Sequence, residues 1–462
     1  MTRRLSLFVS VLLVVGSLIP ANAAVRLGST CKSINQTKTI KGQKLICLKK
    51  GSKKIWSKDT RSTSVKDSTP TSTSSSTTPA PQEVIIPDPE VSARSLLAPI
   101  SECKLPFVGE NSDLYSGFPR NQKYIPSEGD RKSVVLFVDF PDLSADPKSI
   151  TEWKNTQVPF AEKAWRSMSY DKYRLKFDLV EKFFRIPSKW QDFVKNEAGN
   201  IAGSTPALAM NHQKLIIETL SVTDPEVDFS KYDFINIVTP SSTPKVEPGA
   251  SGGGGFNVDG KSNFLAISGP FDEYQGDPLK ASWLAHEAGH LLGLTHVYDF
   301  RQRQGAWDLM GNVFANNDIY GWSKFFLAWI GDNQVNCLPK NLAQETTHLI
   351  TPLGDKDEGT KLVMIPISLT QSIVIESRRS TPLDPIDKNT EGILVYKVDT
   401  SIPDGKGTIS ILSNLNKVAR DKRGNEVIVG TIKANESVST SGYVIKYLKR
   451  GETGDFVSIA KS

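Results

Sequence analysis

The sequence has 462 residues, 38% hydrophobic and 23% charged, which excludes a single small domain and a fibrous or wholly disordered chain. Its formal charge of +6 divides unevenly: twelve basic and no acidic residues up to Lys58, then 44 basic against 50 acidic residues. A mildly acidic main body argues against nucleic acid as a partner.

Arg3 and Arg4 precede an apolar run, Leu5–Ile19, which ends before Ala21-Asn22-Ala23. A charged start, a short apolar core and an A-x-A site read as a signal peptide over residues 1–23. The run is short for a membrane span, and no second one follows. The mature chain is therefore expected to be secreted, extracellular or cell-surface associated, with no transmembrane span.

Residues 24–58 hold Cys31 and Cys47. A module this short buries too little apolar surface to stand alone, so a Cys31–Cys47 disulfide is the expected staple. Its lysines fit adhesion to an anionic cell-wall polymer or lipid head groups, and equally a basic solubilising knob. Residues 59–92 turn to Ser, Thr and Pro and read as an extended linker.

Residues 93–338 alternate between the two periods. Strands are predicted at Ser133–Phe140, Tyr173–Val180, Phe234–Val238 and Phe264–Ile267, and helices at Trp153–Arg166 and Gln213–Leu220. Gly249–Gly255 reads as a glycine-rich loop without phosphate-binding spacing, which excludes a nucleotide site. The edge near Phe264–Ile267 is a candidate for pairing with an extended substrate. Residues 339–462 show only short β-like runs, among them Leu362–Ile367, Gly392–Lys397 and Val444–Tyr447. The expected architecture is α+β, followed by an all-β, sandwich-like C-terminal domain.

The chemistry is concentrated in Asp277–His296. Asp277 is a suitable N-cap and Pro278 fits the first turn of the helix that follows. His286 and His290, four residues apart, share one helix face and can grip one metal ion. Glu287 beside them is placed to take a proton from an activated water. Gly293 can end the helix in a left-handed conformation and return His296 to the metal. Three neutral imidazoles leave a fourth position open, the arrangement of catalytic zinc. The chain has only five histidines, and three fall in this H-E-x-x-H-x-x-G-x-x-H motif.

The motif, with Trp307-Asp308-Leu309-Met310-Gly311 downstream, resembles the metzincin peptidases. That resemblance implies a metzincin-like zinc peptidase domain, with Met310 in a turn beneath the histidines. It also places a tyrosine two residues past the methionine. Asn312 stands there instead, with Tyr298 and Tyr320 as substitutes. Flanking segments resemble the immune inhibitor A family of secreted bacterial metallopeptidases. They include Leu136–Asp142, Ser167–Lys172, Val227–Asp233, Trp322-Ser323-Lys324, Val374–Arg378 and Gly392–Asp399. That family commonly carries Leu-Pro-Asp after the helix glycine, where this chain has Leu294-Thr295-His296. The family resemblance also allows calcium, but acidic sets such as Asp384 and Asp387 more often sit in ordinary solvated loops.

Four cysteines in an exported chain suggest a second disulfide, Cys103–Cys337, alongside Cys31–Cys47. The alternative is that Cys103 belongs to a latency segment whose thiolate occupies zinc. The resulting expectation is a secreted zinc endopeptidase acting on proteins or peptides. A catalytically silent cell-surface binding protein on a peptidase fold is the rival reading, and the intact Glu287 argues against it.

Overall fold

Three antiparallel strands, β1 (Thr37–Ile40), β2 (Gln43–Lys50) and β3 (Lys53–Lys58), form a sheet of order β1-β2-β3 near the N-terminus. They belong to the computed structural model of the chain, which describes residues 29–31, 36–40, 43–50, 53–58, 87–109, 114–199, 207–241, 250–270, 281–297, 307–312, 318–381, 388–420 and 426–462. The chain divides into two compact units, Met1–Ile85 and Ile86–Ser462. The leader over 1–23 and most of the linker over 59–92 lie outside the described residues. In the first unit Leu45, Cys47 and Trp56 make a small core against Cys31, and Cys31 is disulfide-bonded to Cys47. Lys49, Lys53 and Lys54 are exposed.

The second unit starts from β4 (Gly129–Asp139), buried from Ser133 onward. Helix α1 (Lys148–Glu152) runs through a π-helical stretch into α2 (Val158–Met168), and β5 (Tyr173–Arg185) follows. A hairpin of β6 (Val194–Gly199) and β7 (Ala207–Met210) leads to α3 (His212–Thr223) and β8 (Phe234–Thr239). Then come β9 (Ala250–Val258), β10 (Lys261–Pro270) and α4 (Ala281–Leu291). The sheet order is β5-β4-β8-β10-β9, parallel except for β9, which runs antiparallel to β10.

A parallel sheet covered on both faces needs apolar residues in unbroken runs. In β4, Val134, Leu136 and Val138 face one core with Leu215 and Ile216 of α3. Val135 and Phe137 face the other, with Trp165 of α2 and Leu284, Ala285 and Ala288 of α4. The sheet thus presses α4, the helix of the histidine motif, from behind.

Two expectations differ from the structure here. Most of the glycine-rich run Gly249–Gly255 is not a loop but lies in β9, because Asp259 (φ 45°) and Gly260 (φ 75°) form a tight hairpin turn that folds it onto β10. Consequently Phe264–Ile267 is no edge. It lies within β10, between β8 and β9, and β9 forms the margin of the sheet.

After helix α5 (Gly321–Phe326), β11 (Val335–Cys337), β12 (Thr346–Ile350), β13 (Leu362–Pro366), β14 (Gln371–Arg378), β15 (Gly392–Asp399) and β16 (Ile409–Ile411) follow. The last strands are β17 (Val418–Arg420), β18 (Glu426–Ile428), β19 (Ser437–Thr440), β20 (Tyr443–Arg450) and β21 (Asp455–Lys461). Two sheets, β11-β13-β14-β15-β16 and β12-β21-β20-β19, face each other. Their shared core holds Val363, Ile375, Ile393 and Val395 from the first and Ile445, Val457 and Ile459 from the second.

The other face of the first sheet is also buried. Leu362, Met364, Val374, Leu394 and Tyr396 join the same core as α2 and α4. Residues 93–338 and 339–462, separable by sequence pattern, therefore share a core within one compact unit. The Cys103–Cys337 disulfide closes this unit across a separation of 234 residues. The chain is a mixed α/β protein with several sheets, and among the described residues no helix is long and apolar enough to cross a membrane.

Candidate metal centre

Helix α4 buries His286, Glu287 and His290 together with Leu284, Ala285 and Ala288. Its proposed start at Asp277 and Pro278 lies outside the described residues. Its end is well defined. Gly293 has φ +86°, its amide donates to the His290 carbonyl (2.9 Å), and the Leu294 amide donates to the Gly289 carbonyl (3.1 Å). This pair of bonds is a Schellman cap, which reverses the chain at once. A Cβ at 293 would also stand 2.9 Å from the Tyr124 ring, so two independent constraints require glycine.

The reversal brings His296 back to the helix. His290 Nε2 lies 3.2 Å from His286 Nε2 and 3.2 Å from His296 Nε2. The three ligand atoms all fall within 4.8 Å of one another. Nitrogens bound to tetrahedral zinc at about 2.0–2.1 Å stand about 3.3 Å apart, the spacing that His290 keeps from each of the other two.

The outward-facing nitrogens explain this convergence. His286 Nδ1 donates to the Leu309 carbonyl (2.9 Å) and His290 Nδ1 to the Leu294 carbonyl (2.8 Å). His296 Nδ1 faces the Asp404 carboxylate at 3.1 and 3.3 Å. Carbonyl and carboxylate oxygens only accept, so each ring proton sits on Nδ1 and each Nε2 turns a lone pair toward the common centre. Three lone pairs facing one another at this distance suit a cation and little else. Burial, reinforced by repulsion from His290 and His296, holds His286 well below its ordinary pKa. Burial, and then His296, lowers His290 to about 4. Both are therefore the neutral imidazoles that a metal needs.

Met310 lies in a turn organised by Asp308. The Asp308 carboxylate accepts from the amides of Met310 and Tyr320, both at 2.6 Å, and its carbonyl accepts from Gly311 (2.9 Å) and Asn312 (2.8 Å). The Leu309 carbonyl that holds His286 belongs to this same turn. Met310 is fully buried against α4, and a Cβ placed at Gly289 would meet its Sδ at 2.5 Å. Asn312 is buried as well. Tyr298 is outside the described residues. Tyr320 is buried with its ring 4.8 Å from that of Tyr396.

Among the described residues, the histidine triad is the one group of three or more potential metal ligands. The calcium candidates Asp384 and Asp387 lie outside the described residues. Elsewhere, a loop rich in acidic and carbonyl oxygens already holds a cation of its own. Lys361 Nζ donates to the Pro352 carbonyl (2.9 Å), the Asp355 carbonyl (2.7 Å) and Asp357 Oδ2 (2.8 Å). Cys103 is bonded to Cys337, which leaves it no thiolate to offer a metal.

Sequence reasoning missed Asp404. Pro403-Asp404-Gly405 reads as an ordinary turn, and nothing local connects it to a histidine 108 residues away.

No family model matches the chain, and no curated protein matches its sequence. Among solved structures, the chain is distantly similar to wild-type OgpA from Akkermansia muciniphila in two crystal forms. One form is 12% identical with a TM-score of 0.29, covering 69% of this chain and 95% of OgpA. The other is 14% identical with a TM-score of 0.28, covering 72% and 93%. Likeness at that level assigns no activity, and the functional reading rests on the site itself.

Proposed function

We propose that the chain is a secreted zinc metalloendopeptidase of metzincin type, akin to the immune inhibitor A peptidases, that cleaves proteins or peptides. The observation that carries this reading is the convergence of three Nε2 atoms, each with its Nδ1 committed to an acceptor, beside a buried Glu287 on the same helix. Zinc, when bound, supplies Lewis acidity to a water and to the scissile carbonyl. His286, His290 and His296 are the residues that would hold it. Glu287 takes the proton of the attacking water and passes it to the leaving amine. Met310 forms the apolar floor that keeps α4 at a fixed height, and Asp308 fixes the turn that carries Met310.

The two disulfides support an oxidising, extracytoplasmic setting for the enzyme. The exposed lysines of the N-terminal unit support attachment to an anionic cell-wall polymer.

The deciding experiment measures zinc content and cleavage of an unstructured protein by the purified mature chain and by Glu287→Ala. Wild type that binds one zinc and cleaves, beside a variant that binds zinc and does not cleave, supports the assignment. Two proteins that both bind zinc and both cleave remove Glu287 from its role, and a wild type without zinc removes the metal site.

A further inference from the structure

We propose that the C-terminal β-region is a working part of the metal site, with Asp404 as the positioning residue of His296. The inference rests on the zinc reading above and adds a component to it. His286 and His290 are held by α4, whose backbone fixes both. His296 has left the helix and lies on the irregular segment 294–297, so its own element does not fix its ring.

The hold comes from the region between β15 and β16. Asp404 Oδ1 accepts from the His296 amide at 2.6 Å while the same carboxylate engages Nδ1. The Gly405 amide donates to the His296 carbonyl (3.3 Å), and the Ile409 amide donates to the Val297 carbonyl (3.0 Å). Segments 296–297 and 404–409 thus run together as a short ladder. The far end of that loop is rigid. Asp399 donates its amide to the Thr408 carbonyl (2.9 Å), and Val398 pairs with Ile409 in a sheet buried on both faces.

A carboxylate behind a metal-binding histidine fixes its tautomer, aims its ring and raises its basicity. The carbonyls behind His286 and His290 do the first two but carry no charge. His296 has an anionic partner, and that anion belongs to the all-β region rather than to the helix motif. Without the Asp404 carboxylate, His296 loses the acceptor of its amide and the group that orients its ring.

The test is zinc affinity, measured by chelator competition on the full-length mature protein, for wild type, Asp404→Asn and Asp404→Ala, with the melting point of each metal-free chain alongside. Asp404→Asn keeps an oxygen for the His296 amide but drops the charge. It is expected to melt with the wild type and to bind zinc about tenfold more weakly, and Asp404→Ala up to about 100-fold more weakly. Excess zinc should restore cleavage in both. Zinc affinity within twofold of wild type in Asp404→Asn overturns the proposal. So does a variant that melts lower while binding zinc unchanged, since Asp404 then serves only the fold. If Asp404→Ala does not fold, Asp404→Asn decides. A wild type that holds no zinc sinks the peptidase reading itself, whereas a zinc-loaded wild type with unaltered variants sinks only the role of Asp404.

Discussion

Met310 occupies the space that a side chain at Gly289 would take: a Cβ there would lie 2.5 Å from Sδ, 3.1 Å from Cε and 3.3 Å from Trp165 Cη2. The residue just before His290 is therefore small because the floor of the site reaches the helix backbone. Gly289→Ala should push α4 away from Met310 and cost roughly 1–3 kcal/mol, the usual penalty of overpacking, despite alanine's better helix propensity. Denaturant unfolding of the metal-free protein reads this directly. Gly289→Ala with Met310→Ala should recover part of the loss, since each change makes room for the other. Equal stability of Gly289→Ala and wild type would mean that the turn does not support the helix.

Gly293 meets two constraints that mutation can separate. Gly293→Ala faces the left-handed φ of +86° and the Tyr124 ring 2.9 Å from the new Cβ. The backbone alone costs about 1–2 kcal/mol, and the ring adds to it. Gly293→Ala with Tyr124→Ala should remove only the steric part, so the double variant stays less stable than Tyr124→Ala by about the backbone cost. Stability measured around this cycle checks the split, and full rescue would show that the cap conformation carries no strain.

What was legible in the sequence was whatever a short window encodes. His286, His290, Gly293 and His296 sit within one helix and its cap, so spacing alone brings them together. Met310 is close in sequence, and its turn is marked by Asp308 and Gly311. Two other features depended on pairing. The hairpin turn Asp259-Gly260 was available as a signal, but the glycines of β9 have no side chains to show alternation, so their strand is defined only by β10. The strands Leu362–Pro366 and Gly392–Asp399 are apolar without alternation, which is the mark of burial on both faces. That pattern says nothing of what covers the second face, so the expectation is a separate sandwich-like domain, and the packing against the histidine helix is visible only in the fold. Asp404 had no local mark at all, because its role exists only once β15 and β16 are placed against His296.

The Cys103–Cys337 bond should stabilise the second unit as a whole. It joins the segment before β4 to β11, and the Ala98 amide donates to the Cys337 carbonyl (2.8 Å) in the same contact. Replacing both cysteines with serine should cost about 2–5 kcal/mol, the usual range for a native disulfide. Reduction of the wild type should likewise lower the melting point of the second unit. The wild type, denatured without reduction, should also show no free thiol. Two titratable thiols per chain would instead point to an unpaired Cys103 and Cys337.

His348 gives the unit an acid-sensitive element away from the metal. It is buried in β12, takes a hydrogen bond on Nδ1 from the Asn336 amide nitrogen (3.1 Å), and reaches Thr346 Oγ1 with Nε2 (3.0 Å). Burial lowers its pKa to about 4. The unfolded chain accepts a proton at this residue below about pH 6.5, whereas the folded chain does not until about pH 4. Stability from keeping His348 neutral is therefore complete above pH 6.5 and is lost as the pH falls through this window, by about 3 kcal/mol in all. His286 and His290, also lowered by burial, steepen the same acid limb, so the comparison must be made between variants. His348→Gln keeps a polar partner for Asn336 and removes the titration. Its stability should fall less steeply than that of the wild type between pH 6.5 and 4, with the two curves parallel above pH 7. Identical slopes through the acid window would show that His348 takes up its proton without unfolding.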